Sequence, residues 1–361
     1  MITRRRFLNR LVLGGAAAGV APVVGLGAQV GAGVGGAELL SGGVSFFVVG
    51  DTHYRADQGG GLGMDAVSAE YNGRLVEWLN RLPGTAVPEV LGGGVVPRPH
   101  GVIHAGDLVD NGDKGPSKHP MAAREMQAFV ADWGLNGGEG KLRWPVREVH
   151  GNHDSPRGDG PVIAVIKERN QRRAGLSGIS KNGLHYSWDW AGVHFVALGL
   201  IVGEVPGVAR QRRYGALGSL EFLREDLEVA VGGSGRPVVL VHHVDLHRYS
   251  EEVPEAVVLR NEWDYADVRG FYEAIKPYRV VATLCGHTHV RRIARWNGSR
   301  STEAVDGIPF LNTDNAGHFG SETQAFLHVE INGAQMRVRE FATKDGWETG
   351  GWTAQQWSFA V

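Results

Sequence analysis

The stretch that decides the fold is Val44-Ser45-Phe46-Phe47-Val48-Val49-Gly50-Asp51-Thr52-His53, in which an apolar run leads directly into a polar turn. The run is typical of a strand buried on both faces, and a glycine marks its end. Because residues two apart in an extended chain point the same way, Asp51 and His53 would lie on one side of the chain. The stretch therefore predicts a buried strand whose carboxyl end carries a polar site.

The same arrangement, a β-run followed by a turn with metal-type side chains, recurs four more times. The further motifs are Gly106-Asp107-Leu108-Val109-Asp110, Gly151-Asn152-His153-Asp154, Val241-His242-His243 and Gly286-His287-Thr288-His289. Side chains at the carboxyl ends of strands converge on one crevice of an open α/β sheet. Each motif alone is a weak signal, whereas five in this order predict one composite metal site.

The pattern around the motifs favours a layered α/β architecture. Helices are predicted at Asp65–Leu82, Ser117–Trp133, Pro161–Ala174, Leu217–Val231 and Val268–Ile275, and a hairpin at His185–Trp190 with Val193–Leu198. Strands alternate with helices at first and then dominate as far as Glu340, which indicates a layered sandwich. An inserted loop is predicted between Asp245 and Asp267, and one domain is expected over residues 41–361.

Composition excludes several kinds of protein and site. The 361 residues allow a sizeable core, and 21% charged residues is ordinary for a globular protein. The formal net charge of −2, without a Lys/Arg-rich stripe, gives no field that would attract nucleic acid, so no nucleic-acid partner is expected. Cys285 is the one cysteine, so neither an intrachain disulfide nor a cluster of thiolate ligands can form.

Residues 1–40 have the pattern of an export signal and linker. Thr3-Arg4-Arg5-Arg6-Phe7-Leu8 precedes a Gly/Ala-rich apolar stretch with small residues near Leu26-Gly27-Ala28, and the paired arginines resemble a bacterial twin-arginine signal. We expect the twin-arginine machinery to export the chain to the periplasm or beyond, with no stable membrane span after processing. A plain membrane anchor and a disordered tail are the alternatives.

The five motifs resemble those of the calcineurin-like metallophosphoesterase superfamily, over roughly Val44 to Glu330. The resemblance implies an α/β fold, a four-layer αββα sandwich of two mixed β-sheets flanked by helices. It also implies that two divalent or trivalent transition-metal ions (Mn, Fe, Zn or Co) hydrolyse a small phosphate ester by means of a metal-activated water. The implied ligands are Asp51, His53 and His289 for one ion, Asn152, His242 and His287 for the other, and Asp107 for both.

Further residues carry finer expectations from the same resemblance. His153 would act as general acid or stabilise the transition state, and Asp110 would hydrogen-bond it and raise its pKa. Many family members have Pro after the fourth-motif His pair, where this chain has Val244, so either His242 or His243 could be the ligand; we choose His242. His243, His318 and Arg248 are possible substrate or supporting residues.

Departures from two branches of the superfamily narrow the expected activity. Purple acid phosphatases have Gly at the position of His53 and Tyr at that of Asp110, so no tyrosinate–iron colour is expected. Protein Ser/Thr phosphatases have Arg at the position of Asn111 and Glu at that of Asp154. Phosphomonoesters and phosphodiesters both remain as substrates, including cyclic nucleotides and glycerophosphodiesters. A metal- or phosphate-binding protein with little catalysis is the alternative of another class.

Overall fold

The computed structural model describes residues 43–59, 61–208, 210–248, 262–299 and 304–361. The predicted export signal at residues 1–40 lies outside the described residues, as do residues 249–261 of the predicted inserted loop. Among the helices in the described ranges, none is both long and apolar enough to cross a membrane.

The helices and the strands that precede the five motifs follow one another in the predicted order, whereas the strands Leu176–Ile179 and Gly351–Ala360 are not among the predicted elements. The strands are β1 Val44–Val49, β2 Gly101–His104, β3 Val146–Glu148, β4 Leu176–Ile179, β5 Tyr186–Trp190, β6 Val193–Ala197, β7 Val238–Val241, β8 Val280–Cys285, β9 Arg292–Trp296, β10 Ile308–Asn312, β11 Gln324–Asn332, β12 Gln335–Thr343 and β13 Gly351–Ala360. The helices are α1 Ala66–Arg81, α2 His119–Trp133, α3 Gly160–Arg172, α4 Ser219–Asp226 and α5 Tyr265–Ile275. A π-helical turn, Leu227–Val231, continues α4.

Two mixed sheets organise the chain. The first has the strand order β13-β12-β11-β1-β2-β3, in which β1, β2 and β3 are parallel and β11 to β13 are antiparallel. The second has the order β4-β5-β6-β7-β8-β10-β9, with parallel pairing from β6 to β10. Its other pairs, β4 with β5, β5 with β6 and β10 with β9, are antiparallel.

The side-chain alternation of β1 shows how the layers form. Phe46 and Val48 belong to the apolar cluster between the two sheets, whereas Phe47 and Val49 pack on the side of α1, α2 and α3. A strand covered on both faces is expected to be apolar at nearly every position. In β1 only Ser45 is polar. Helices α4 and α5 cover the other face of the second sheet in the same way. The predicted four-layer sandwich of two mixed sheets flanked by helices is therefore confirmed.

Candidate metal centre

All five motifs follow the carboxyl ends of parallel strands. Those strands are β1, β2 and β3 in the first sheet and β7 and β8 in the second. Parallel strands present these ends at the same edge of a sheet, and the packing of the two sheets brings both edges together. The polar turns consequently meet in two adjoining clusters of ligand-type side chains.

The first cluster consists of Asp51, His53, Asp107 and His289, with one ligand atom from each lying within 4.8 Å of the others. His289 Nε2 is 3.4 Å from Asp51 Oδ1 and 3.1 Å from His53 Nε2. His53 Nε2 is also 3.7 Å from Asp107 Oδ2. Asp51, Asp107 and His289 thus lie close enough to His53 for all four side chains to bind one ion.

The second cluster consists of Asp107, His243 and His287, again with ligand atoms within 4.8 Å. His243 Nε2 lies 3.2 Å from Asp107 Oδ2 and 3.1 Å from Asn152 Oδ1, so the asparagine amide oxygen joins this group. The Asp107 oxygen that faces His53 in the first cluster is the one that faces His243 in the second. Asp107 therefore stands between the two clusters.

The structure does not bring His242 to either cluster. Its ring packs against Trp263 and Phe271, with ring centroids 5.5 and 6.0 Å away, in the layer between the second sheet and its helices. Burial in that layer lowers the pKa of His242 to about 4, so the ring is neutral. The choice of His242 over His243 is corrected: His243 occupies the site.

Strand alternation explains the correction. Val239 and Val241 of β7 lie between the sheets, and the intervening residues face the helices. Continued past the strand end, the same alternation puts His243 on the side of Val241 and His242 on the helix side. This signal was present in the sequence, but it becomes decisive only when the face of β7 that looks toward the other sheet is known.

The hydrogen bonding of His243 leaves one nitrogen ready to bind a metal. Its Nδ1 lies 2.7 Å from the carbonyl oxygen of Ala105. A carbonyl only accepts hydrogen bonds, so Nδ1 carries a hydrogen, and in the neutral ring Nε2 has a free lone pair. That lone pair faces Asp107 and Asn152, the orientation that a second hydrogen bond typically enforces on a metal-binding histidine.

Charge in the clusters favours a bound cation. Burial raises the pKa of the Asp107 carboxyl, but His243 and His53 outweigh it and hold that pKa well below its ordinary value. The pKa of Asp51 is likewise lowered, because His289 and His243 outweigh its burial. Burial lowers the pKa of His243, and Asp107 and Asp51 outweigh that effect and raise it to about 9. Two buried carboxylates therefore stay ionised here and attract positive charge.

The backbone is strained where the clusters form. Nine non-glycine residues in the described part of the chain have a positive φ, and five of them are cluster members. These are Asp51 (56°), His53 (42°), Asp107 (54°), His287 (78°) and His289 (54°). Left-handed backbone costs on the order of 1–3 kcal/mol per residue and persists at functional sites that the surrounding structure over-determines. These five ligand-type residues therefore stand on backbone that the surrounding fold has to hold in place.

Three motif glycines leave no room for a side chain. A Cβ at Gly106 would lie 2.5 Å from His243 Nδ1, and a Cβ at Gly286 would lie 2.5 Å from Asp51 Oδ2. A Cβ at Gly151 would overlap the backbone nitrogen and Oδ1 of Asp107. The glycines therefore allow the backbones of the motif loops to approach the metal-type side chains closely.

Asp154, which the sequence marked only as a departure from a related branch, ties two motif loops together. Its carboxylate accepts hydrogen bonds from the N–H groups of Leu108, Val109 and Gly151 at 2.7–3.2 Å. Burial and the charge of Asp107 outweigh these donors and raise the pKa of Asp154 to about 7. The second and third motifs are thus held in register by side-chain-to-backbone bonds.

His153 lies beside the first cluster, with its ring centroid 4.7 Å from that of His53. Its Nδ1 donates to the backbone carbonyl of Asp110 at 3.2 Å, whereas the Asp110 carboxylate lies 3.6 Å from His53 Nδ1. The predicted side-chain bond between Asp110 and His153 is therefore corrected to a main-chain bond. The pKa of His153 is raised as predicted, because Asp107, the Asp110 carbonyl and Asp113 outweigh its burial.

The remaining two candidates, His318 and Arg248, differ in how close they lie to the two clusters. The His318 ring lies 4.9 Å from that of His53 and 4.6 Å from that of His289, so it lines the first cluster. Arg248 donates to both carboxylate oxygens of Glu262 at 2.8 and 3.1 Å, and Glu262 Oε1 lies 3.6 Å from His287 Nε2. Arg248 thus binds Glu262. Glu262 lies beside His287 and supports the site, although no sequence pattern indicates it.

The sequence of this chain matches a known protein family. The family model of calcineurin-like phosphoesterases matches residues 44–291, which is more than half of the chain. The chain is similar to Purple acid phosphatase 23 of Arabidopsis thaliana, with 31% identity over 149 residues. That match covers 40% of this chain and only 28% of the length of that relative.

A solved structure agrees with the fold. A dimetal phosphatase from Danio rerio superposes with a TM-score of 0.54 and 12% identity, covering 88% of this chain and 98% of that chain. At this identity the likeness bears on the fold alone. The family match, which includes all five motifs, shows that this chain belongs to the calcineurin-like phosphoesterase family.

Proposed function

We propose that this chain hydrolyses phosphate esters by means of two bound metal ions that share Asp107. One observation carries the proposal: two clusters of ligand-type atoms meet at the same carboxylate oxygen, Asp107 Oδ2, which lies 3.7 Å from His53 Nε2 and 3.2 Å from His243 Nε2. A carboxylate between two sets of imidazoles is the arrangement that a dinuclear centre needs, and a centre of this kind is suited to displacement at phosphorus.

The residues present fit such a pair of ions. One ion would be held by Asp51, His53 and His289, the other by Asn152, His243 and His287, and both by Asp107. Carboxylate, amide and imidazole donors without thiolate suit Mn, Fe, Zn or Co. The ionised state of the buried carboxylates is the one that ligation requires, and His243, whose Nδ1–H is held by the Ala105 carbonyl, would bind an ion through Nε2 after releasing the Nε2 proton.

Ions held there would supply Lewis-acid neutralisation of the phosphoryl oxygens and activation of water. The protein contributes His153, whose main-chain N–H donates to Asp107 Oδ1 at 2.8 Å and whose Nδ1–H donates to the Asp110 carbonyl. With Nδ1 engaged, Nε2 is the nitrogen that can pass a proton to the leaving-group oxygen when the ring is charged.

The test is an assay of para-nitrophenyl phosphate and its bis-ester with protein loaded with Mn²⁺, and then with Zn²⁺, Fe and Co²⁺. Asp107→Asn should lower kcat/KM at least about 100-fold, because even loss of an outer partner of a metal ligand costs about 10- to 100-fold. Asp306→Asn is the control and should behave as wild type, because Asp306 is an exposed aspartate that precedes β10 and belongs to none of the motifs.

Two outcomes would contradict the proposal. Fully metallated wild type that turns over neither ester would point to a binding protein, and Asp107→Asn with full activity would remove the shared carboxylate from the mechanism. The ratio of the two wild-type rates decides between a phosphomonoesterase and a phosphodiesterase, including enzymes for cyclic nucleotides or glycerophosphodiesters.

We also propose that the chain is exported by the twin-arginine machinery, with a small phosphate ester outside the cytoplasm as its substrate. Support comes from the Arg4-Arg5 pair and the Gly/Ala-rich stretch that follows it. Replacing both arginines with lysine should abolish export of the full chain in a bacterial host, whereas Arg10→Lys should not. Unchanged export of the double variant would refute this route.

A further inference from the structure

His318 lies in the turn between β10 and β11 and lines the first cluster without a role in the proposed ligand set. Its ring centroid is 4.9 Å from that of His53 and 4.6 Å from that of His289. A ring nitrogen of His318 lies within 4.8 Å of ligand atoms of both. An imidazole in this place could bind a metal or donate a hydrogen bond. Which of the two it does depends on which ring nitrogen carries the hydrogen.

The backbone fixes that choice. The N–H of Gly320 donates to His318 Nδ1 at 3.2 Å. A backbone amide can only donate, so Nδ1 must be the unprotonated acceptor, and the hydrogen of the neutral ring lies on Nε2. A metal ion binds an unprotonated ring nitrogen, whereas Nε2–H is a hydrogen-bond donor. Nε2, the ring nitrogen that the Gly320 N–H does not engage, is therefore a donor.

Several contacts hold the turn that carries His318 in place. The His318 N–H donates to Asn315 Oδ1 at 3.2 Å, and the ring stacks on Phe319 with centroids 4.8 Å apart. The Arg55 guanidinium lies 3.4 Å from the centroid of the Phe319 ring. Arg55 also forms an ion pair with Asp65 at 2.9 Å. A donor fixed in this way loses little freedom when a substrate arrives, which is what makes a preorganised donor effective.

We propose that His318 Nε2–H donates a hydrogen bond to a non-bridging phosphoryl oxygen of the bound substrate, on the side of the first cluster. The inference rests on the proposed phosphoesterase function and deepens it. Phosphomonoesters and phosphodiesters both carry an anionic non-bridging oxygen, so the donor serves either class. Its role differs from that of His153, whose proton would go to the leaving group.

The kinetic test uses metal-loaded His318→Ala with para-nitrophenyl phosphate and phenyl phosphate, whose leaving groups differ in basicity. We expect unchanged metal content and a fall in kcat/KM of roughly 10- to 100-fold, equal for both esters, as for a hydrogen bond to a charged oxygen. His318→Gln, which keeps a donor, should retain more activity. A lost metal ion, an unchanged kcat/KM or a loss that grows with leaving-group basicity would each overturn the inference.

His100→Ala is the matched control. His100 Nδ1 also accepts a backbone N–H, that of Ser45 at 3.4 Å, but the residue precedes β2, at the end of the sheet away from the motifs. It should leave kcat/KM unchanged. If wild type has no turnover, the proposed function fails by itself, and calorimetric binding of inorganic phosphate then tests His318 separately. Equal phosphate affinity of wild type and His318→Ala would overturn the inference.

A spectroscopic measurement tests the premise directly. In ¹⁵N-edited NMR spectra, the ring signals that disappear in His318→Gln belong to His318, and their two ¹⁵N shifts report the tautomer. We expect a protonated Nε2 and an unprotonated Nδ1. A protonated Nδ1 would leave Nε2 free to bind a metal and would refute the assignment as a donor.

Discussion

Replacing His243 with Ala should empty the second metal position while the fold persists. The change removes Nε2, which lies 3.2 Å from Asp107 Oδ2 and 3.1 Å from Asn152 Oδ1. Because loss of a residue that merely supports a ligand costs about 10- to 100-fold in affinity or activity, loss of the ligand itself should cost at least about 100-fold in kcat/KM.

The change also lowers the free energy of unfolding, for a separate reason. The Ala105 carbonyl loses its donor, His243 Nδ1–H at 2.7 Å, and a buried group left without a partner costs about 1–3 kcal/mol. Urea unfolding followed by circular dichroism should therefore show a folded variant with a lower midpoint. Mass-spectrometric metal analysis of the same sample should show one ion per chain fewer than wild type.

The neighbouring residue provides the matched comparison. His242→Leu exchanges one buried ring for an apolar side chain between Trp263 and Phe271, and such a swap costs less than about 1.5 kcal/mol. Its metal content and kcat/KM should stay at the wild-type level. The reasoning is refuted if His242→Leu loses metal while His243→Ala keeps it, or if both variants keep full metal content and activity.

Other predictions follow from the packing and charge of the site and core. Gly151→Ala should weaken metal binding, since its Cβ would overlap Asp107, whereas Gly233→Ala, with open space around it, should not; metal titrations of both variants check this. Glu148→Gln should cost about 3–5 kcal/mol at neutral pH, because it breaks a buried ion pair with Arg169 at 2.7 Å. Buried arginines outweigh burial and lower the pKa of Glu148 to about 2, so its stabilisation is complete above its ordinary pKa of 4.5 and is lost as pH falls toward 2. The difference in urea midpoint between wild type and Glu148→Gln should therefore narrow from about pH 6 to about pH 3; a constant difference would contradict the assigned pKa.

Much of the fold could be predicted because strong local signals coincide with tertiary structure. The sequence predicts helix α1 to within one residue at each end, and Asp65 caps the helix by accepting from the Ser68 N–H at 3.0 Å. Helix α5 begins three residues before the predicted Val268, because Asp264 caps it. The sequence does not predict strand β13, because most of its side chains are exposed and no apolar run marks it. Pairing with β12 defines this strand.

The site was predictable as a set of motifs but not in its finer geometry. The order of Asp, Asn and His motifs after apolar runs locates the loops because strand ends must meet at one sheet edge. The decision between His242 and His243 depends on which face of β7 looks inward, and the donor state of His318 depends on a backbone N–H two residues along. The contact of Glu262 with His287 joins distant parts of the chain, and no local pattern encodes it.

The most direct test of the dinuclear centre is to titrate metal-free wild type with Mn²⁺ while turnover of para-nitrophenyl phosphate and bound metal per chain are measured on the same samples. The shared position of Asp107 between two ligand clusters predicts that activity reaches its maximum only when two ions are bound per chain. Full activity at one bound ion, or activity that does not depend on metal, would contradict the account.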